Sequence, residues 1–197
     1  MVKPDSALRR LWRTTGKLLE PYGFAGAEPR WVRAEPGGVA VVERTRVVRT
    51  WTDGQQVISF GLAASAVPDA WRDYVTWRGT AAELPRLPDP HSPWSLRPDP
   101  EQPGHALESD LALIRAELPR RVHACARRAI QLTEPERYRE ELRALPGPEA
   151  AAAIVVLLAA VGSGAELDAA LRHSDSPEAA AYARARATPG EGRAVIR

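Results

Sequence analysis

The sequence predicts an α+β fold: an N-terminal helix packed on an antiparallel β-meander, a proline-rich strap, then a helical C-terminal half. Three observations predict it. An amphipathic helical stripe opens the chain. Runs rich in β-branched residues, separated by Gly-containing turns, follow it. Helical periodicity with Ala-rich segments fills the second half.

Leu8, Leu11, Trp12, Thr15, Leu18, Leu19 and Tyr22 recur at spacings of three and four. That spacing places them on one side of a helix, with Arg9, Arg10, Arg13 and Lys17 largely off the stripe. Asp5 or Ser6 is the expected N-cap. Gly23 is placed to close the helix in a left-handed conformation. Three strands are expected next, at 30–35, 39–51 and 56–65. Pro36-Gly37-Gly38 separates the first two and Thr52-Asp53-Gly54 the second pair. Residues 69–79 carry Trp71, Tyr74 and Trp77 and read as a short helix or a strand.

Seven prolines between Pro85 and Pro103 predict an extended strap without regular structure, anchored by Trp94 and Leu96. A helix is expected over 106–130, kinked or split at Pro119. Thr133 with Glu136 predicts a capping box for a helix through Leu145. Pro148 opens the next helix and Gly162 closes it. Ser163 with Glu166 caps a helix through about Arg172, and Ser176 caps one that begins at Pro177. The end, from Thr188, is expected to fray. The expected division is an α+β domain over 1–104, with its strap at 85–104, and a helical region over 105–197.

Composition bounds the function. The chain has 197 residues and a formal net charge of +2, too small a charge to imply nucleic acid by itself. Of its 27 basic residues only Lys3 and Lys17 are lysines, and asparagine is absent. That bias points to a GC-rich bacterial genome. The single Cys125 forms no internal disulfide, and no leader is recognised, so a cytoplasmic location is expected. No apolar run reaches the roughly 18 residues of a spanning helix.

Motifs for chemistry fail on context. Thr14-Thr15-Gly16-Lys17 lacks the glycine and the following hydroxyl of a phosphate loop, with Leu11 and Leu18 in those places. Gly162-Ser163-Gly164 follows an Ala-rich helix rather than a strand and reads as a helix–helix turn. His91, His105, His123 and His173 lack zinc-ligand spacing, and Cys125 continues a buried stripe. No catalytic residue, metal site or cofactor is expected.

The polar constellation that stands out lies on the strands. Arg44 and Arg46 are two apart and share a face of the expected second strand. Arg30 and Arg33 lie on its neighbour, with Trp31 and Trp51 nearby. These six are the candidate binding residues. Arginines interleaved with aromatics can hold a phosphate backbone and stack bases. They can equally form the polar face of a one-sided sheet, which Glu35, Glu43 and Asp53 favour by diluting the charge.

The order of features resembles a bacterial domain-of-unknown-function family, numbered 4304. The resemblance rests on Tyr22-Gly23-Phe24, Arg30-Trp31-Val32-Arg33, Ile58-Ser59-Phe60-Gly61-Leu62, Trp94-Ser95-Leu96 and Glu136-Arg137-Tyr138. It covers about residues 6–145. The family's Gln-x-Ser pattern on the long strand is here Glu43-Arg44-Thr45-Arg46, a departure that puts a shared polar site in doubt. The resemblance implies an α+β fold and no established activity. The expectation is a non-enzymatic, cytoplasmic protein-interaction module, immunity-like or an accessory subunit, with an unknown protein as partner. Nucleic-acid binding through the Arg/Trp face is the alternative, and an enzyme with a site not readable from sequence is a third.

Overall fold

The computed structural model describes residues 2–52, 54–161 and 164–187. Among these, seven α-helices and two antiparallel sheets form an α+β fold, with the N-terminal helix before the strands and most helices after them. The chain divides into two compact units that interleave in sequence. The first comprises Met1–Glu35, Val39–Ala66 and Pro88–Ile130; the second comprises Pro36–Gly38, Val67–Leu87 and Gln131 onward. Neither coincides with 1–104 or 105–197.

In the first unit, α1 (Pro4–Leu19) buries Leu8, Leu11, Trp12, Thr15 and Leu19, the expected stripe. Neither Asp5 nor Ser6 is its cap. Lys3 occupies that position, Pro4 opens the first turn and Asp5 lies within that turn, where the helix dipole favours its charge. A 3-10 turn, Glu20–Tyr22, follows, and Gly23 closes it at φ +77°.

Six strands then run as β1 (Ala25–Ala27), β2 (Arg30–Glu35), β3 (Gly38–Arg44), β4 (Val48–Thr52), β5 (Gln55–Phe60) and β6 (Leu62–Pro68). The expected three-stranded meander is not what forms. Each of the two longer strands breaks and contributes to two sheets. One sheet has the order β1-β2-β3-β6; the other is β4-β5-β7, with β7 at Trp94–Leu96. The breaks lie opposite each other. The Thr45 amide donates to the Gly61 carbonyl at 3.0 Å. A Cβ on Gly61 would stand 3.5 Å from Thr45 Oγ1 and 3.8 Å from Pro93 Cα. Both strands bend there, which lets them leave one sheet for the next.

The strap is also more ordered than its prolines imply. β7 pairs antiparallel with β5, Ile58 opposite Leu96 and Phe60 opposite Trp94. Pro93 and Pro98 flank these three residues rather than interrupt them, and an edge strand tolerates that. Helix α3 (Glu108–Gln131) continues through Pro119 without splitting. Its Leu111, Ile114, Leu118, Val122, Cys125, Ala126 and Ala129 join α1, Phe60, Leu62, Trp94 and Leu96 in one core.

The second unit holds α2 (Asp69–Arg78), α4 (Pro135–Leu142), α5 (Pro148–Val161), α6 (Gly164–His173) and α7 (Pro177–Ala187). Residues 69–78 are therefore helix rather than strand. The apolar α5 is the hub, packing against α2, α4, α6 and α7. Tyr74 of α2 meets Tyr182 of α7 edge to face at 5.2 Å. Thr133, the expected cap, lies one residue before the observed one. Glu134 is the N-cap of α4 without a side-chain bond, and the helix stops at Leu142. Ser176 does cap α7: its Oγ accepts from the Ala179 amide at 3.2 Å. The expectations on Asp53, Gly162, Ser163 and the terminus from Thr188 lie outside the described residues.

Candidate functional site: a cationic groove between α1 and β1

The six sequence candidates do not form one surface. Trp31 faces the core and is 2 % exposed, so it offers no ring for stacking. Trp51 is 73 % exposed and lies on β4, in the other sheet. Arg44 ends β3 and is ion-paired to Glu28 at 2.9 Å. Arg46 is exposed within the break after β3, so the strand alternation that would align it with Arg44 is lost. Arg33 bonds the Tyr22 carbonyl and pairs with Glu35. Arg30 is exposed, opposite Ala27 on β1.

Cys125 is buried, and its thiol donates to the Leu62 carbonyl at 3.9 Å. Burial pushes the thiol up to about 12, with the Asp89 charge adding to it against Arg121 and Arg128. A thiol so hard to ionise is a core side chain rather than a nucleophile. Its neighbour His123 turns elsewhere, hydrogen-bonded through Nδ1 to the Tyr22 hydroxyl at 2.5 Å. Among the described residues no cluster of three His, Cys, Asp or Glu could hold a metal ion, and no helix is long and apolar enough to cross a membrane.

The feature that does gather recognition chemistry lies in the first unit. A groove of 650 Å³ runs between α1 and β1. One wall is the side of α1 that carries Arg9, Arg13, Gly16 and Lys17, continued by Glu20 of the 3-10 turn. Helical geometry produces this wall, because spacings of three and four stack residues along one side. The other wall is β1, Ala25-Gly26-Ala27, all three exposed. The apolar floor is formed by Trp12, Phe24 and Trp31. These rings are themselves packed, Trp12 edge-on to Phe60 at 5.4 Å, so the floor is rigid.

Gly16 builds the floor. Its missing side chain lets the Trp31 indole approach the helix: a Cβ there would stand 3.1 Å from Trp31 Nε1. Gly26 shapes the opposite wall at φ +122°, and a Cβ on it would meet the Arg30 carbonyl at 2.7 Å. Charge is unevenly spent around the groove. Glu28 is engaged by Arg44, and Arg9 donates to Ser6 Oγ at 3.2 Å. Arg13 and Lys17 project from exposed positions with no ion pair among the described residues, leaving the helix wall cationic.

Sequence reasoning saw these cations only as the outer side of a packed helix. The available signal was the i, i+4, i+8 recurrence of Arg9, Arg13 and Lys17. What sequence could not show was the strand beside them. Comparison with protein-family models, with curated proteins and with solved structures finds no match to this chain.

Proposed function

We propose that the chain is a non-enzymatic, cytoplasmic protein-interaction module of bacterial origin that holds a partner protein in the α1–β1 groove. The observation that carries this reading is the juxtaposition of Arg13 and Lys17, without an ion pair among the described residues, with a rigid apolar floor. The charges select and orient the partner there. The reduced, inert Cys125 supports a cytoplasmic setting. Membership of the family numbered 4304 belongs to the same proposal, supported by the order of α1, the Trp31 strand and the Trp94 strap. An immunity-like or accessory role is the form of interaction we favour.

The test is capture from the host's lysate on the immobilised chain, in nuclease-treated and untreated halves, comparing wild type with Arg13→Glu/Lys17→Glu. Both residues are exposed, so the variant should remain folded, within about 1 kcal/mol of wild type. A stoichiometric protein is expected that survives nuclease and is retained roughly tenfold or more weakly by the variant. Capture unaffected by the double reversal overturns the groove. Recovery of nucleic acid alone, or turnover abolished by a single polar substitution, overturns the module.

A further inference from the structure

We infer that the occupant of the groove is an extended acidic segment of the partner, added as a strand along β1; this deepens the interaction reading and rests on it.

Among the described residues, β1 is the terminal strand of its sheet and pairs with β2 alone, Ala25 opposite Val32 and Ala27 opposite Arg30. In an antiparallel pair, every second residue turns its N–H and C=O away from the partner strand. β1 is three residues long, so one or two of them turn a donor and an acceptor to its outer side. Folded proteins usually guard such an edge with charge, proline or a covering element. Here the edge is Ala-Gly-Ala, exposed and without a bulky side chain. A second backbone can approach it closely, and side-chain-independent pairing is how strand addition gains affinity.

The wall opposite sets the chemistry of the added strand. Arg9, Arg13 and Lys17 follow one another by four residues, a rise of about 6 Å each. Same-side residues of an extended chain are about 6.6 Å apart. Carboxylates at alternate positions of an added strand thus match the cation spacing.

The same details disfavour other occupants. The floor rings are nearly fully buried and present no stacking face, whereas sequence-tolerant nucleic-acid binding needs one. A phosphodiester backbone accepts but does not donate, so it leaves the β1 carbonyls unused.

The probe is a displayed library of ten-residue peptides selected on the full chain, with a single-stranded oligonucleotide pool as the parallel arm. Enriched peptides are expected to carry Asp or Glu at alternate positions. A synthetic representative should bind Arg13→Glu/Lys17→Glu roughly tenfold or more weakly than wild type. N-methylating alternate amides of that peptide should cost at least tenfold in one register and little in the other, because only one edge pairs. Amide exchange at β1 should slow on binding. Enrichment without alternating acids, indifference to N-methylation in both registers, or enrichment in the oligonucleotide arm alone overturns strand addition. If a partner is captured in a groove-dependent manner but N-methylation is silent, this inference falls and the interaction module stands. If nothing is captured and no peptide is enriched, both fall.

Discussion

Asp110 accepts three hydrogen bonds from Arg97: from its amide at 2.9 Å, its Nε at 3.0 Å and an Nη at 2.7 Å. Two residues thus tie the strap to the start of α3. The Arg97 hydrogen bonds hold the Asp110 carboxyl below the usual aspartate value, overriding the opposing effect of burial. A depressed carboxylate stabilises the fold above its unfolded value and loses that contribution as pH falls through the folded one. Asp110→Asn should therefore be less stable than wild type at pH 7. The gap should persist to about pH 5 and close as pH drops below about 4, the ordinary aspartate range. Urea titrations at pH 7, 5 and 3 read it directly, and a gap that widened with acid would contradict the role assigned to Arg97.

Glycines divide in the same local way. Gly38 has φ +153°, and an added Cβ would collide with the Val67 carbonyl and stand 2.8 Å from Pro68 Cα. Backbone cannot yield as a side-chain tip does. Gly38→Ala should cost about 1–3 kcal/mol or more. Gly79 at φ +71° faces open space, so Gly79→Ala should cost only the left-handed strain, about 1 kcal/mol. Denaturant midpoints of the two variants test the ordering.

At the scale of elements, α3 carries Pro119 in its interior, on an exposed position. Proline removes one helical hydrogen bond and costs about 3 kcal/mol relative to alanine in a helix interior. Its smaller unfolded-state entropy returns up to about 1 kcal/mol. Pro119→Ala should accordingly stabilise the protein by about 1–2 kcal/mol, measured by thermal or urea unfolding. Destabilisation would mean that the packing of Leu118 and Val122 depends on a bend at that point. The strap is held by a different device. Arg121 stacks on Trp94 at 4.1 Å, and Glu117 accepts from the Trp94 indole at 2.7 Å and from Arg121 at 2.9 Å. Buried aromatic anchors with satisfied polar atoms explain how a proline-dense segment becomes an ordered edge strand.

For the whole molecule, the interleaving of the two units has a direct consequence. Leu111, Ile114, Leu118, Val122 and Cys125 of α3 belong to the same core as α1 and the strands of the first unit. A fragment ending at residue 104 exposes that core. It should fail to give a dispersed amide NMR spectrum, whereas the full chain should give one. A well-folded 1–104 fragment would show that α3 is dispensable to the first unit.

Periodicity by itself determined the class, the α1 stripe, β2 at 30–35, the buried side of α3 and the opening of α5 at Pro148, because each follows from alternation or capping chemistry within a few residues. The break at Gly61 escaped it for a physical reason. Ile58, Phe60, Leu62 and Ala64 remain inward on both sides of the break, so the alternation carries no mark of the change of sheet. The candidate arginines were legible as charge but not as a surface. Glu28 reaches Arg44 across 16 positions of chain, and Trp31 turns inward because Gly16 leaves room for it. Tertiary structure alone decided which strand became the terminal one of its sheet and which helix wall faced it. Those pairings join residues separated along the chain, and local propensity holds no information about partners it has not yet met.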